Sequence, residues 1–243
     1  MIGTKLFNTS WGQFNLWPQD GICKSLIEGK FWDKHLKETF DTLPKNSTII
    51  DVGANIGFMS IYLAKLGHRV VAFEPCRQTF DVLVSNIKLN DVEENVMAFN
   101  VALYNKETKV RLFNELFVEK FKPIPFNNNE IDFTSWDHIG GFSLIESTTG
   151  ELITKTLDSF GIENVTLIKI DAQGCDLKIM KGAVETIKKY RPKIIFEFEP
   201  PIAYYHNEDF DIDYKTFITG IGYNLKLLND PTDCFYDYLA YPV

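Results

Sequence analysis

No stretch of this chain approaches the ~18 apolar residues that span a bilayer, although 45% of its 243 residues are hydrophobic. Cysteine is scarce. Cys23, Cys76, Cys175 and Cys234 are widely spaced and form no C-x-x-C pair. That argues against zinc and against a disulfide framework, and the four read as thiols in a reducing compartment. Positive charge is in deficit, with 25 Lys and Arg against 33 Asp and Glu, a net charge of −8. Such a chain is a poor non-specific binder of DNA, RNA or anionic membrane. The N-terminus lacks the long apolar core of a signal peptide. Repeats and long low-complexity runs are missing too; Asn127–Asn129 is only a loop signal. These absences lead us to expect a soluble cytoplasmic protein whose 243 residues bury one core as a single domain.

What is present is a strand–turn–helix–strand pattern. Ile49-Ile50-Asp51-Val52 is an apolar run ending near a carboxylate, and Gly53-Ala54-Asn55-Ile56-Gly57-Phe58 is a glycine-containing turn into a helix. Arg69 to Phe73 is a second apolar strand, closed by Glu74-Pro75. The glycines allow a ligand close to the backbone, and Glu74 stands where a carboxylate accepts the two ribose hydroxyls of an adenosine. The pattern departs from the dinucleotide fingerprint G-x-G-x-x-G, because Asn55 replaces a glycine. Asp51 at the turn would repel a pyrophosphate but suits a cationic sulfonium ligand carrying an ammonium. The residues therefore favour S-adenosylmethionine. Asp51 and Gly53 are expected at its methionine end, Asn55, Gly57 and Phe58 at the turn and helix start, Glu74 and Pro75 at the ribose, and Asn100, Val101 and Ala102 around the adenine.

Asp51-Val52-Gly53-Ala54-Asn55-Ile56-Gly57, Ala72-Phe73-Glu74-Pro75 and Ile168-Lys169-Ile170-Asp171-Ala172-Gln173-Gly174 resemble the signature of the FkbM-type S-adenosylmethionine-dependent methyltransferases. Asn100-Val101-Ala102-Leu103, Gly140-Gly141-Phe142-Ser143 and Met180-Lys181-Gly182-Ala183 add to the resemblance, which runs from about Thr48 to Glu199. It implies a Rossmann-like class I methyltransferase fold and O-methylation, with sugar hydroxyls a frequent acceptor. The family often has a glutamate where this chain has Gln173, which argues against a catalytic carboxylate there.

Periodicity gives an arm over residues 1–20, a helix from Cys23 to Leu43 stopped by Pro44, and strands at Thr48–Val52, Arg69–Glu74 and Val96–Asn100. Helices are expected at Phe58–Leu66 and Thr79–Asn90, and an antiparallel piece at Lys109–Asn114. Further on, Val165–Asp171 reads as a strand, Asp176–Tyr190 as a helix and Lys193–Phe198 as a strand ended by Pro200-Pro201. A helix at Phe210–Gly220 precedes a final antiparallel pair, Gly222–Leu228 and Cys234–Tyr241. The right-handed crossover rule makes this an α/β, doubly wound, seven-stranded sheet. Residues 1–47 form the N-terminal arm and helix, 48–114 the cofactor-binding half and 152–243 the catalytic half. Residues 115–151 break the pattern. Long irregular insertions are usually functional or mobile, and this one is rich in aromatics, so we read it as a packed, substrate-facing lid.

Methyl transfer from a sulfonium needs an aligned nucleophile and, for a hydroxyl, a base for its proton. Asp171 at a strand end is the favoured candidate. Lys169, two residues earlier, shares its face; the pair either orients the acceptor or forms a structural ion pair. His138 in the insert is a base suited to neutral pH. Glu199, Glu197 and His206 rank lower, and His35 and His68 read as surface or packing residues. Asp171 with Glu197, Glu199 or Asp176 offers oxygen ligands for Mg²⁺, but no spacing demands a metal and none is assigned. The acceptor is taken as a sugar or glycan. Alternatives are a polyketide, lipid or peptide acceptor, or a catalytically silent cofactor- or glycan-binding module with the same fold.

Overall fold

The computed structural model describes residues 3–114, 140–230 and 235–243. The arm is a hairpin of β1 (Lys5–Thr9) and β2 (Gly12–Leu16). Two helices follow, α1 (Gly21–Ile27) and α2 (Lys34–Asp41). Asp20 caps α1 by accepting from the Cys23 N–H at 2.9 Å. The single helix expected over Cys23–Leu43 is thus two. Gly29 (φ 74°) and Asp33 (φ 51°) adopt left-handed backbone between them, which no continuous right-handed helix contains.

The next elements follow the apolar periodicity closely: β3 (Thr48–Val52), α3 (Phe58–Lys65), β4 (Arg69–Phe73), α4 (Arg77–Leu89) and β5 (Val96–Phe99). Then β6 (Lys109–Asn114), β7 (Phe142–Glu146) and β8 (Leu152–Ile153) form a separate antiparallel sheet in the order β7-β6-β8. This corrects the expectation of irregular backbone to residue 151. Phe142-Ser143-Leu144 is apolar enough to be buried and pairs with the preceding strand. Residues 115–139, including His138 and most of the expected lid, lie outside the described residues.

A 3₁₀ turn (Leu157–Phe160) leads into β9 (Val165–Ile170). The helix expected over Asp176–Tyr190 is split into α5 (Asp176–Lys181) and α6 (Val184–Tyr190). Gly182 sits at the split, and a Cβ there would lie 2.1 Å from the Tyr104 carbonyl oxygen. After β10 (Lys193–Phe198) the prolines do more than end a strand: Pro200 opens α7 (Pro200–Tyr205), where its missing N–H costs no helical bond. A π-helical turn (Phe210–Tyr214) runs into α8 (Lys215–Gly220), followed by β11 (Tyr223–Leu227) and β12 (Tyr236–Pro242).

The main sheet has seven strands in the order β11-β12-β10-β9-β3-β4-β5. β5, β4, β3, β9 and β10 run parallel, and β12 and β11 close the sheet antiparallel. The alternation along β3 explains how helices come to cover both faces. Ile49 packs into a core with Leu26, Leu36, Phe40, Phe58 and Leu83. Ile50 and Val52 face the other core, with Leu177, Met180, Ile187 and Ile218. Chain order reverses between β3 and β9, and a doubly wound sheet opens its ligand crevice beyond the strand ends at such a point.

Candidate active site

A cavity opens at that reversal. Gly53 and Val52 from the end of β3, Phe73, Glu74 and Pro75 from the end of β4, and Val101 after β5 line one side. Asp171, Ala172 and Gln173 after β9, Glu197 and Glu199 from β10, and Asp33 before α2 line the other. Phe142 and Leu144 of the second sheet, with Gly140 just before it, contribute a wall, together with Trp32 and Phe235.

The β3 turn owes its shape to two left-handed residues. Gly53 has φ 73°, and a Cβ on it would fall 1.8 Å from the carbonyl oxygen of Asp171. Asn55 takes φ 51°, a conformation asparagine tolerates better than most residues. Its N–H donates to Glu74 Oε2 at 2.9 Å, and the Cys76 N–H donates to Oε1 at 2.9 Å. Glu74 is thereby fixed by two separate backbone segments. Burial raises its pKa to about 7, against those two hydrogen bonds and the nearby Lys169. Asn100 stands behind this corner, its Nδ2 donating to the carbonyl oxygens of Glu74 (2.8 Å) and Pro75 (3.0 Å).

Beneath the cavity lies Lys169, 4% exposed. Its Nζ is 3.2 Å from Asp51 Oδ1 and 3.5 Å from Asp171 Oδ2, and it donates to the Gly53 carbonyl at 3.3 Å. Burial opposes its charge, but Asp51 and Asp171 outweigh burial and raise its pKa above the ordinary lysine value. Asp51 is fully buried and also accepts from the Ser60 hydroxyl at 2.6 Å. It does not line the cavity, because its carboxylate joins β3 to α3 and to Lys169. Lys169 likewise ties β9 to the β3 turn instead of facing the cavity.

The other side is organised by side chains. Gln173 (φ 50°) donates Nε2 to Asp171 Oδ1 and to Glu197 Oε2, each at 3.2 Å, so one amide bridges two carboxylates. Its Oε1 is buried without a hydrogen-bond partner among the described residues. Burial, then Asp171 and Asp237, hold the Glu197 pKa well above the carboxylate range. Asp33 is pushed up to about 7 by burial and by Asp171 and Asp237, against Lys169 and His35. Five carboxylates thus line one cavity: Asp33, Glu74, Asp171, Glu197 and Glu199. Among the described residues no group of three or more His, Cys, Asp or Glu side chains is arranged to hold a metal ion.

The structure brings together Gly53, Asn55, Glu74, Pro75, Val101 and Asp171 of the expected site. Gly57, Phe58, Asn100 and Ala102 support it from outside. Gly57 (φ 88°) gives α3 room to pass Leu83, and Phe58 packs on Phe31 with ring centroids 4.9 Å apart. His206 is away from the cavity, bonded to Ser143 Oγ at 3.1 Å, and burial lowers its pKa to about 4. His35 is 2.6 Å from Asp237. Asp33 and Trp32 were missed because residues 23–43 read as one helix; Gly29 was the available signal of a break.

A doubly wound sheet of this order, closed by an antiparallel pair and with a glycine turn at β3 and a carboxylate at the end of β4, is the Rossmann-like class I methyltransferase fold. The chain matches the methyltransferase FkbM domain over residues 51–224 and belongs to that family. It is 26% identical over 194 residues to methyltransferase sdnD of Sordaria araneosa, covering 66% of this chain and 71% of that one. It is 24% identical to methyltransferase 1 of Beauveria bassiana, covering 57% of this chain and 59% of that protein. The crystal structure of methyltransferase FkbM from Methylobacillus flagellatus shares the fold, with a TM-score of 0.54 and 19% identity over 83% of this chain. This chain spans 45% of that structure's length. Among the described residues no helix is long and apolar enough to cross a membrane.

Proposed function

We propose that the chain is an S-adenosylmethionine-dependent O-methyltransferase acting on a hydroxyl of a sugar or glycan. The observation that carries the cofactor reading is Glu74. Each of its oxygens holds one backbone N–H and keeps further acceptor capacity toward the cavity. The acidic lining fits a sulfonium that also bears an ammonium, and the buried, unpartnered Gln173 Oε1 is an acceptor waiting for a donor. When bound, the cofactor supplies a methyl group already activated by positive sulfur. Glu74 would hold the ribose hydroxyls, Val101 and Pro75 would flank the adenine, and Gly53 and Asp171 would meet the methionine end. Lys169 and Gln173 keep Asp171 in place as an orienting group.

The sugar reading rests on the remaining surface. Hydroxyls donate well to carboxylates, and Trp32, Phe142 and Phe235 present apolar faces of the kind on which sugar rings stack. A phosphorylated or nucleic-acid acceptor would meet carboxyl groups and no Lys, Arg or His among the lining residues. The test is a thermal-shift titration with S-adenosylmethionine, S-adenosylhomocysteine and NAD, then transfer of a labelled methyl group to neutral glycosides, polyketides, acyl lipids and peptides. A ligand at 100 times its Kd stabilises the fold by about 2.7 kcal/mol. Stabilisation by the sulfur ligands and labelling of a glycoside are expected. Stabilisation by NAD alone would end the methyl-transfer reading; labelling of another acceptor alone would end the sugar reading.

A further inference from the structure

The acceptor's proton needs a destination, and the group that takes it must face the acceptor side of the cavity. Most of the lining carboxylates are otherwise engaged. Glu74 holds two backbone N–H groups, Asp171 holds Lys169 and Gln173, and Glu197 holds Gln173. Asp33 differs. It lines the same cavity, yet its side chain does not cap α2 and has no hydrogen-bond or ion-pair partner among the described residues.

Its placement is also on the correct side. The charged groups that act on it are Asp171 after β9, Asp237 on β12, Lys169 on β9 and His35 on α2. β9 and β12 flank β10, so Asp171, Lys169 and Asp237 all belong to the part of the sheet beyond the β3–β9 reversal, and Asp33 lies within their reach. The left-handed backbone at Asp33 (φ 51°, ψ 55°) breaks the helical run, and the residue lines the cavity. Strained conformations of this kind persist where the surroundings over-determine them.

From this placement we infer that Asp33 is the general base of the reaction, taking the proton of the acceptor hydroxyl as its oxygen is methylated. The balance is simple. A carbon–oxygen bond forms between acceptor and methyl, the carbon–sulfur bond breaks, and its electron pair stays on sulfur, which becomes a neutral thioether. The hydroxyl proton passes to a carboxylate oxygen of Asp33. A group that titrates near neutrality suits this task, being charged enough to accept a proton and basic enough to hold it. Burial and Asp171 and Asp237 raise Asp33 to about 7, while Lys169 and His35 limit the rise.

The inference rests on the methyltransferase reading above, and the test separates the two. Wild type and Asp33→Asn are compared in three ways, with S-adenosylhomocysteine and methyl β-D-glucopyranoside as probes. First, calorimetry with S-adenosylhomocysteine should give affinities within about twofold of each other. Second, Tm is followed from pH 4 to 9. The folded-state pKa of Asp33 lies above the unfolded one, so wild type should lose stability relative to Asp33→Asn between about pH 4 and 7. The Tm difference should plateau above that window, with Asp33→Asn the higher. Third, labelled methyl transfer to the glycoside should rise through about pH 7 in wild type and fall by about 10²–10⁴-fold in the variant.

A variant that loses S-adenosylhomocysteine would place Asp33 in the cofactor site and overturn the inference. So would a Tm difference flat across pH, or a variant turning over within twofold of wild type with the same pH profile. Failure of wild type to bind S-adenosylhomocysteine would instead remove the methyltransferase reading itself, and with it the role given to Asp33.

Discussion

The two sides of the cavity are built by different means. On the β3–β4 side the one carboxylate, Glu74, is held by backbone N–H groups of Asn55 and Cys76, and its corner is braced by Asn100. On the β9–β10 side the carboxylates are held by other side chains. Lys169 and Gln173 hold Asp171, Gln173 also holds Glu197, and Asp33 is held by neither. Backbone donors fix one geometry. Side-chain partners can be exchanged one at a time, so the charge and acceptor preference of that side can change without disturbing the turn. A site that must recognise one invariant ligand and one variable ligand divides well along this line.

The largest way to break the comparison is to remove the cation beneath both sides. Lys169→Met leaves Asp51, fully buried, and Asp171 without their partner, and losing one member of a buried pair costs about 3–5 kcal/mol. Denaturant unfolding should show this loss, and the double variant with Asp51→Asn should recover part of it. Next is Gly53→Ala, whose new Cβ would strike the Asp171 carbonyl 1.8 Å away on a backbone of φ 73°. Overpacking of this kind costs about 1–3 kcal/mol, and Tm should fall while any remaining folded protein binds S-adenosylhomocysteine poorly. Such a result would show that the two sides share one backbone contact.

A smaller effect sharpens the distinction. Gln173→Glu would put a third carboxylate against Asp171 and Glu197, each now 3.2 Å from the amide nitrogen. The rate–pH profile should move upward by about one unit, and S-adenosylhomocysteine affinity should change less than the rate does, because Gln173 reaches the methionine end only through Asp171 while the Glu74 corner is untouched. Smallest is the pH dependence of cofactor affinity. Burial raises Glu74 to about 7, so lowering pH through 7 protonates it and weakens its acceptance of ribose hydroxyls. Calorimetry at pH 6 and pH 8 should show the weaker binding at pH 6.

The regular part of the fold was legible because its signals are local. β3, β6 and β10 fall on their expected residues: β3 and β10 are short apolar runs stopped by Gly53 and by Pro200, and β6 alternates polar and apolar residues at strand spacing. The two helices read as unbroken, over Cys23–Leu43 and Asp176–Tyr190, show what periodicity misses. Their breaks come from a left-handed pair at Gly29 and Asp33 and from a close approach of Gly182 to Tyr104. The second cause is a tertiary contact with no trace in hydrophobic spacing. The site divides likewise. Gly53, Asn55, Glu74, Pro75, Val101 and Asp171, read from strand ends and their turns, line the cavity, whereas Asp33 reaches it from a distant segment that hydrophobic spacing did not single out. Lys169 was read either as orienting the acceptor or as half of a structural ion pair with Asp171; its further pairing with the buried Asp51 on the adjacent strand leaves no trace in hydrophobic spacing.

The most direct test of the central claim, that the β3–β4 corner holds an adenosyl cofactor through Glu74, is calorimetry of S-adenosylhomocysteine against wild type and Glu74→Gln at pH 8. The account predicts one site in wild type. It also predicts a loss of about tenfold or more in the variant, the scale of a hydrogen bond to a charged group, and no heat from NAD with either. Equal affinity in the two proteins, or binding of NAD in place of the sulfur ligand, would contradict it.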